Sequence, residues 1–573
     1  MRECQQQTGG PNWHVIILLA TAILPSSLLG APKLRLQSTT VGPISISQGS
    51  NGPVQTVEAF NAGDGSLNLQ LTGSASWINP SVGAARGCSL GQAERCLPIN
   101  IALQTSGLAR GVYTGFVTVS DPNALDAPQT ISVTVQIGGG VPDEVTLYVA
   151  PNGSAAHYRF ATNSNLSIQT STQSGGPWLS LTVDGNGSFR FVVPYRITGR
   201  HLEGMPEGDY RGTIAVGNSS VPAENKTVNV RMLVTSRPIA APSPQQLAFR
   251  LAPSATPQTQ LVRVLNSGFG TLSISSASAS TSTGGSWLSA SVSDGLIRVT
   301  ANPSGMNTGT YGGTVIVSTN AANSELRIPV TLDVVAPGPP LAAFNGALNS
   351  GNFDTGLAPG SVAAVFGEQL SYEEAKQGTV IPLVRELGGA RVLINDVPAP
   401  VFFTSYNQIN FQIPYETPLG EAVLRVERGG QRGNGIALQI SRRAPRIIQV
   451  GDNGVIVNPD GSLAIRGGTP ARRGQVITIY CVGFGPTEPA VATGEGAPAS
   501  EPLGRIDPEP RVILGNAFTG ATVLDPLYVG LTPNLVGLYQ VNVLLPEDLP
   551  AGEIQLLIEG DGYRSNSVLL PLQ

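Results

Sequence analysis

Apolar and polar residues alternate one for one through much of this chain, as in "ISVTVQI" from Ile131, "VNVRMLV" from Val228 and "IPVTLDV" from Ile328. A period of two is what a half-buried antiparallel strand requires, because successive side chains leave opposite faces of a sheet. Each of these runs follows another that sets Val117 and Val119, Ile214 and Val216, or Val315 and Val317 on one face. Turn residues separate the runs at short intervals, and hardly any helix is predicted. The pattern describes paired strands, repeated three times.

Other landmarks recur in the same order. Just before the first strand of each pair stand "GVYTG" (111–115), "GDYRG" (208–212) and "GTYGG" (309–313), with Tyr113, Tyr210 and Tyr311 at their centres. Upstream of each lies one tryptophan, Trp77 in "ASWINPS", Trp178 in "GPWLSLT" and Trp287 in "GSWLSAS". Further upstream, "NAGDGSLNL" at 61–69 matches "NSGFGTLSI" at 266–274, and "NSNLSI" at 163–168 is a degraded version. Landmarks in fixed order make a tandem repeat of about a hundred residues, the size of an Ig-like sandwich. The tyrosines are expected to act as in a tyrosine corner, with flanking glycines for a tight turn and a hydroxyl bonded to backbone. The tryptophans are expected to plug cores. The alternative for both is a platform on which a sugar stacks.

The order N-x-G-x-G-x-L, W-[IL]-x-x, G-x-Y-x-G-x-[VI]-x-V and a final alternating strand resembles BACON domains, in three copies over residues 33–336. The resemblance implies Ig-like modules of secreted bacterial proteins, with glycan binding or a spacer role, and it brings no binding residue with it.

After the Pro-rich "VVAPGPPLAAF" (334–344) a second duplication begins. "YNQINFQIP" (406–414) pairs with "LYQVNVLLP" (538–546), aligning Gln408 with Gln540 and Asn410 with Asn542. "LGEAVLRVERGGQRGNGIALQI" likewise pairs with "AGEIQLLIEGDGYRSNSVLLPL". The halves are similar to IPT/TIG-type modules, and together resemble the uncharacterised C-terminal domain of many secreted acidobacterial proteins. The four amides are expected to satisfy backbone groups where strand meets loop, or to face a glycan. The run "VFFTSY" holds Phe402, Phe403 and Tyr406, of which alternation exposes some, so these are the candidate ligand-binding residues.

Composition narrows the function. Charged residues are 12% of the 573, against about 25% in typical soluble proteins, while Gly (69) and Pro (45) are abundant. With a net charge of -5 and no basic run, a nucleic-acid partner is not expected. The apolar stretch Val15 to Leu24 suits an export signal rather than a membrane span. Cys88 and Cys96 bracket a short loop where a disulfide fits, a zinc half-site being the rival; Cys481 reads as a buried strand thiol. Of three histidines, His14 falls in the signal, and His201 reads as solvated surface. Metalloprotease, thiol-redox and P-loop motifs are absent. Acid pairs such as Glu373 with Glu374, or Asp507 with Glu509, keep a weak glycan hydrolase as an alternative.

The resulting expectation is an all-β chain of tandem Ig-like β-sandwich domains in an elongated array. The divisions are a signal over 1–31, BACON-like modules over 32–138, 139–236 and 237–336, a linker over 337–342, and IPT/TIG-like modules over 343–446 and 447–573. The function expected is non-catalytic, with no cofactor and no metal, in a secreted or cell-surface protein that adheres to extracellular glycans or surface proteins. A purely structural stalk is the main alternative.

Overall fold

The computed structural model describes residues 30–185, 191–451, 453–516 and 520–573, so the expected signal lies almost wholly outside the described residues. The chain is all-β, an elongated array of tandem Ig-like sandwiches. A single 3-10 turn, Pro222–Glu224, is the one helical element among the described residues.

The three N-terminal repeats share one sheet. In the first repeat Thr40–Ile46 runs parallel to Gln129–Ile137, which pairs antiparallel with Gly111–Ser120, and that in turn with Gln70–Gly73. The second repeat orders Glu144–Val149, Thr227–Val234, Gly208–Gly217 and Ser167–Thr172 in the same way. The third does so with Leu247–Leu251, Glu325–Val334, Gly309–Thr319 and Ile274–Thr281. The alternating valines and isoleucines named above all face the cores and are buried, which is why a one-residue slip of register is excluded.

The facing sheet differs between repeats. Leu34–Leu36 in the first and Ala240–Ser243 in the third form its outer strand, and the second repeat has no counterpart. There the segment at 138–143 reads "GGGVPD", whose glycines and proline cannot sustain a ladder. The change explains the degraded landmark. Asn61 and Asn266 accept a hydrogen bond from the backbone N–H of Lys33 (2.9 Å) and Ile239 (3.1 Å) at the foot of their own outer strands. Asn163 instead reaches the first sandwich, bonding both N–H and C=O of Ser45 at 2.8 and 2.6 Å.

The C-terminal duplication is a repeat of structure. Val362–Glu368 pairs with Gln408–Gln412 as Val476–Val482 pairs with Tyr539–Leu544. Near the end of each half, one asparagine imitates a strand neighbour. Asn434 bonds the N–H and C=O of Ala342 at 2.8 and 3.0 Å, and Asn566 does the same to Ile447 at 2.7 and 3.0 Å.

The expected linker is held down rather than free. Gly338 donates to Gln369 Oε1 at 2.9 Å, and Arg428 donates to the Gly338 carbonyl at 2.7 Å with its guanidinium 3.8 Å from the Tyr372 ring centroid. The first strand of the fourth sandwich, Leu341–Asn349, starts inside the stretch.

Candidate functional site

The repeated tyrosine and tryptophan are one structural device. Tyr113, Tyr210 and Tyr311 each donate to the carbonyl four residues upstream, at Ala109 (3.1 Å), Pro206 (2.7 Å) and Asn307 (2.9 Å). This is the geometry of a tyrosine corner. Trp77, Trp178 and Trp287 are buried, and the indole N–H of Trp178 and of Trp287 donates to the Ser174 and Thr283 carbonyls at 3.0 and 2.9 Å. The second glycine of each motif has a role that turn chemistry did not anticipate. Gly115, Gly212 and Gly313 lie inside strands, and a Cβ there would meet the indole Cζ2 of the same repeat at 3.3, 3.3 and 3.2 Å. These glycines make room for a ring, and no stacking platform remains at the tryptophans.

The candidate aromatic surface is corrected at its key member. Phe402 and Phe403 are half-buried, but Tyr406 is only 2% exposed and joins the hydrophobic core of the third sandwich. Its oxygen accepts the Ala252 N–H at 2.8 Å and its ring stacks on Tyr372 with centroids 6.2 Å apart. Burial pushes its hydroxyl pKa far up. Alternation along one strand could not foresee this, because the burying surface belongs to another sandwich.

Beside Tyr406 lies a charged junction without any sequence signal. Arg250 of the third sandwich donates Nη1 to Asp333 Oδ2 (2.7 Å) and Nε to Glu368 Oε2 of the fourth (2.8 Å), with its guanidinium 4.8 Å from the Phe116 ring of the first. Burial raises the Asp333 carboxyl pKa against the pull of Arg250. Glu368 is likewise raised, by burial first and by Asp333. The first sandwich also touches the fourth directly. Buried Asp126 donates its N–H to the Gly435 carbonyl and accepts the Ala437 N–H at Oδ1, both at 2.8 Å, and Lys33 pairs with Glu421.

The remaining candidates separate. Gln408 donates to Asn410 (2.7 Å) and Gln540 to Asn542 (3.4 Å), so these amides pair with each other along the strand instead of capping backbone. His201 is half-buried rather than solvated; Nδ1 accepts the Asn152 N–H at 3.2 Å and Nε2 donates to the Met205 carbonyl at 2.8 Å. Glu373, Glu374, Asp507 and Glu509 are exposed. Cys88 and Cys96 form a disulfide, and Cys481 is fully buried, with its thiol pKa pushed up by burial. Among the described residues no cluster of His, Cys, Asp and Glu has the arrangement of a metal site, and no helix is long and apolar enough to cross a membrane.

No protein-family model and no curated protein matches the chain. Among solved structures it is similar to the endo-fucoidan hydrolase MfFcnA4 from glycoside hydrolase family 107, at 14% identity and TM-score 0.20 over 54% of this chain. The match spans 45% of that enzyme, less than half its length. The protocadherin gamma B4 extracellular domain matches over 94% of this chain and 84% of its own, at 14% identity and TM-score 0.14. The titin I-band fragment I67–I69 matches over 54% and 99%, at 9% identity and TM-score 0.14. Superpositions this loose carry no argument about function.

Proposed function

We propose that the chain is a secreted or cell-surface, non-catalytic adhesion protein, three BACON-like modules followed by an IPT/TIG-like pair, that engages extracellular glycans or surface proteins. The observation that carries this reading is the use made of the reactive side chains. Tyr406 and the Arg250–Glu368 ion pair join the third sandwich to the fourth, Asp333 holds Arg250 from within its own sandwich, and the candidate acids sit in the open without an enclosing cleft. Fixed junctions present outer sheet faces in a set arrangement, which suits attachment more than turnover. The Cys88–Cys96 disulfide supports an oxidising compartment.

A bead-attachment assay tests the reading. Beads coated with the full chain should adhere to polysaccharide or cell surfaces without releasing reducing ends; steady release of reducing ends would sink it. Burial of all three repeat tryptophans favours a second reading, a stalk without a ligand. Beads that adhere to no surface would select the stalk.

A further inference from the structure

A groove of about 290 Å³ opens where the first, third and fourth sandwiches meet. One wall is the outer face of the first sandwich. Thr118 and Thr130 stand opposite each other on neighbouring strands, and Thr39 lies beside them, its carbonyl accepting the Ser132 N–H at 2.8 Å. Across from them are Arg250 and Glu368, with the half-buried Phe344 ring as an apolar surface.

The threonines behave differently here from threonine pairs elsewhere on the molecule. Thr114 and Thr134 bond hydroxyl to hydroxyl at 3.0 Å, as do Thr259 and Thr300 at 2.7 Å. Thr118 and Thr130 face each other without such a bond, and neither their hydroxyls nor that of Thr39 has a partner among the described residues. Three groups that can each donate and accept are thus turned toward one small space.

We propose that this groove binds a short neutral glycan. Sugar hydroxyls match the free threonine hydroxyls in both directions. The Glu368 carboxylate, oriented by Arg250 through Oε2, offers a placed acceptor, and the part of the Phe344 ring that lines the groove offers an apolar contact beside the Arg35 guanidinium, which lies over the ring 4.6 Å from its centroid. Charge selects against anionic sugars. The guanidiniums of Arg35 and Arg250 are matched by the carboxylates of Asp126, Asp333 and Glu368, which leaves the surroundings slightly negative. Three sandwiches supply the walls, so an occupant holds them together. The inference rests on the adhesion reading and names its ligand class and site.

The test uses the full chain, with cellotetraose, xylotetraose, mannotetraose and laminaritetraose as probes and a galacturonate oligomer as the charged comparison, followed by calorimetry and saturation-transfer NMR. At least one neutral tetraose should bind saturably. A Thr118→Val, Thr130→Val double variant should weaken it at least tenfold while circular dichroism and melting stay unchanged, since valine suits a strand. A Thr259→Val, Thr300→Val control should bind as the parent does. Preference for the galacturonate oligomer, no binding of any neutral probe, or binding indifferent to the Thr118 and Thr130 changes would each overturn the site. If beads still adhere in those cases, the adhesion reading stands without it.

Discussion

Gly313 lies beneath the indole of Trp287, so close that a methyl group at residue 313 would come within 3.2 Å of Trp287 Cζ2 and 2.7 Å of Leu288 Cδ2. The same pairing joins Gly212 to Trp178 and Gly115 to Trp77. The motif and the tryptophan recur together because neither packs without the other.

Gly313→Ala should therefore destabilise the third sandwich by about 1–3 kcal/mol through overpacking. Trp287→Ala should cost about 3–5 kcal/mol, and Tyr311→Phe, which removes only the bond to Asn307, about 0.5–1.5 kcal/mol. Urea unfolding followed by circular dichroism checks the ranking; an innocuous Gly313→Ala would refute the packing role of the glycine.

Tyr406 joins two sandwiches by its ring and by its oxygen, and the two can be separated. Tyr406→Phe leaves the buried Ala252 N–H without its acceptor, at a cost of about 1–3 kcal/mol. Tyr406→Ala also opens the third core and should lower its melting temperature further. Hydrogen exchange at Ala252 should rise in both variants, and unchanged protection would show that the contact does not hold in solution.

Two junctions should respond to acid with opposite signs. Asp333 and Glu368 have raised pKa values, chiefly through burial. Their ionised forms burden the third-to-fourth junction as pH climbs past the ordinary carboxyl value of about 4, and the burden is complete above the raised values. Acidification from pH 7 toward 4.5 should tighten that junction. Burial also pushes Asp354 up, but the hydrogen bonds from Arg446, Gly356 and Asn352 outweigh it and its pKa is lowered. Its stabilisation at the fourth-to-fifth junction is full above the ordinary value and fades as pH falls through the lowered one. Hydrogen exchange around Tyr406 and around Gly356 at pH 7, 4.5 and 3 should diverge; parallel changes would contradict the assignment.

The Cys88–Cys96 bridge closes a short loop, and chain-entropy arguments give such a loop about 2–3 kcal/mol. Replacing both cysteines by serine should cost the first sandwich no more than that, because Glu58 also holds the loop through the Ser89 N–H (2.9 Å) and hydroxyl (2.8 Å). A melting curve of the double variant decides the matter: loss of the whole first sandwich would mean that the Glu58 contacts contribute little.

The sequence by itself determined the repeated architecture. Alternation at Val117, Ile214 and Val315 set the buried faces, the Gly-x-Tyr-x-Gly landmarks marked the tyrosine corners, and the paired segments of the C-terminal half showed its duplication, though the part played by Asn434 and Asn566 came only from the structure. These features repeat because each sandwich solves the same local packing problem, and repetition is visible in one dimension. The junctions are different. Tyr406 was expected near an exposed surface and lies in a neighbour's core; Arg250, Asp333, Glu368 and Asp126 left no pattern at all. Each junction occurs once, between residues far apart in sequence. Its burial depends on how whole sandwiches meet, so only the tertiary structure decides it.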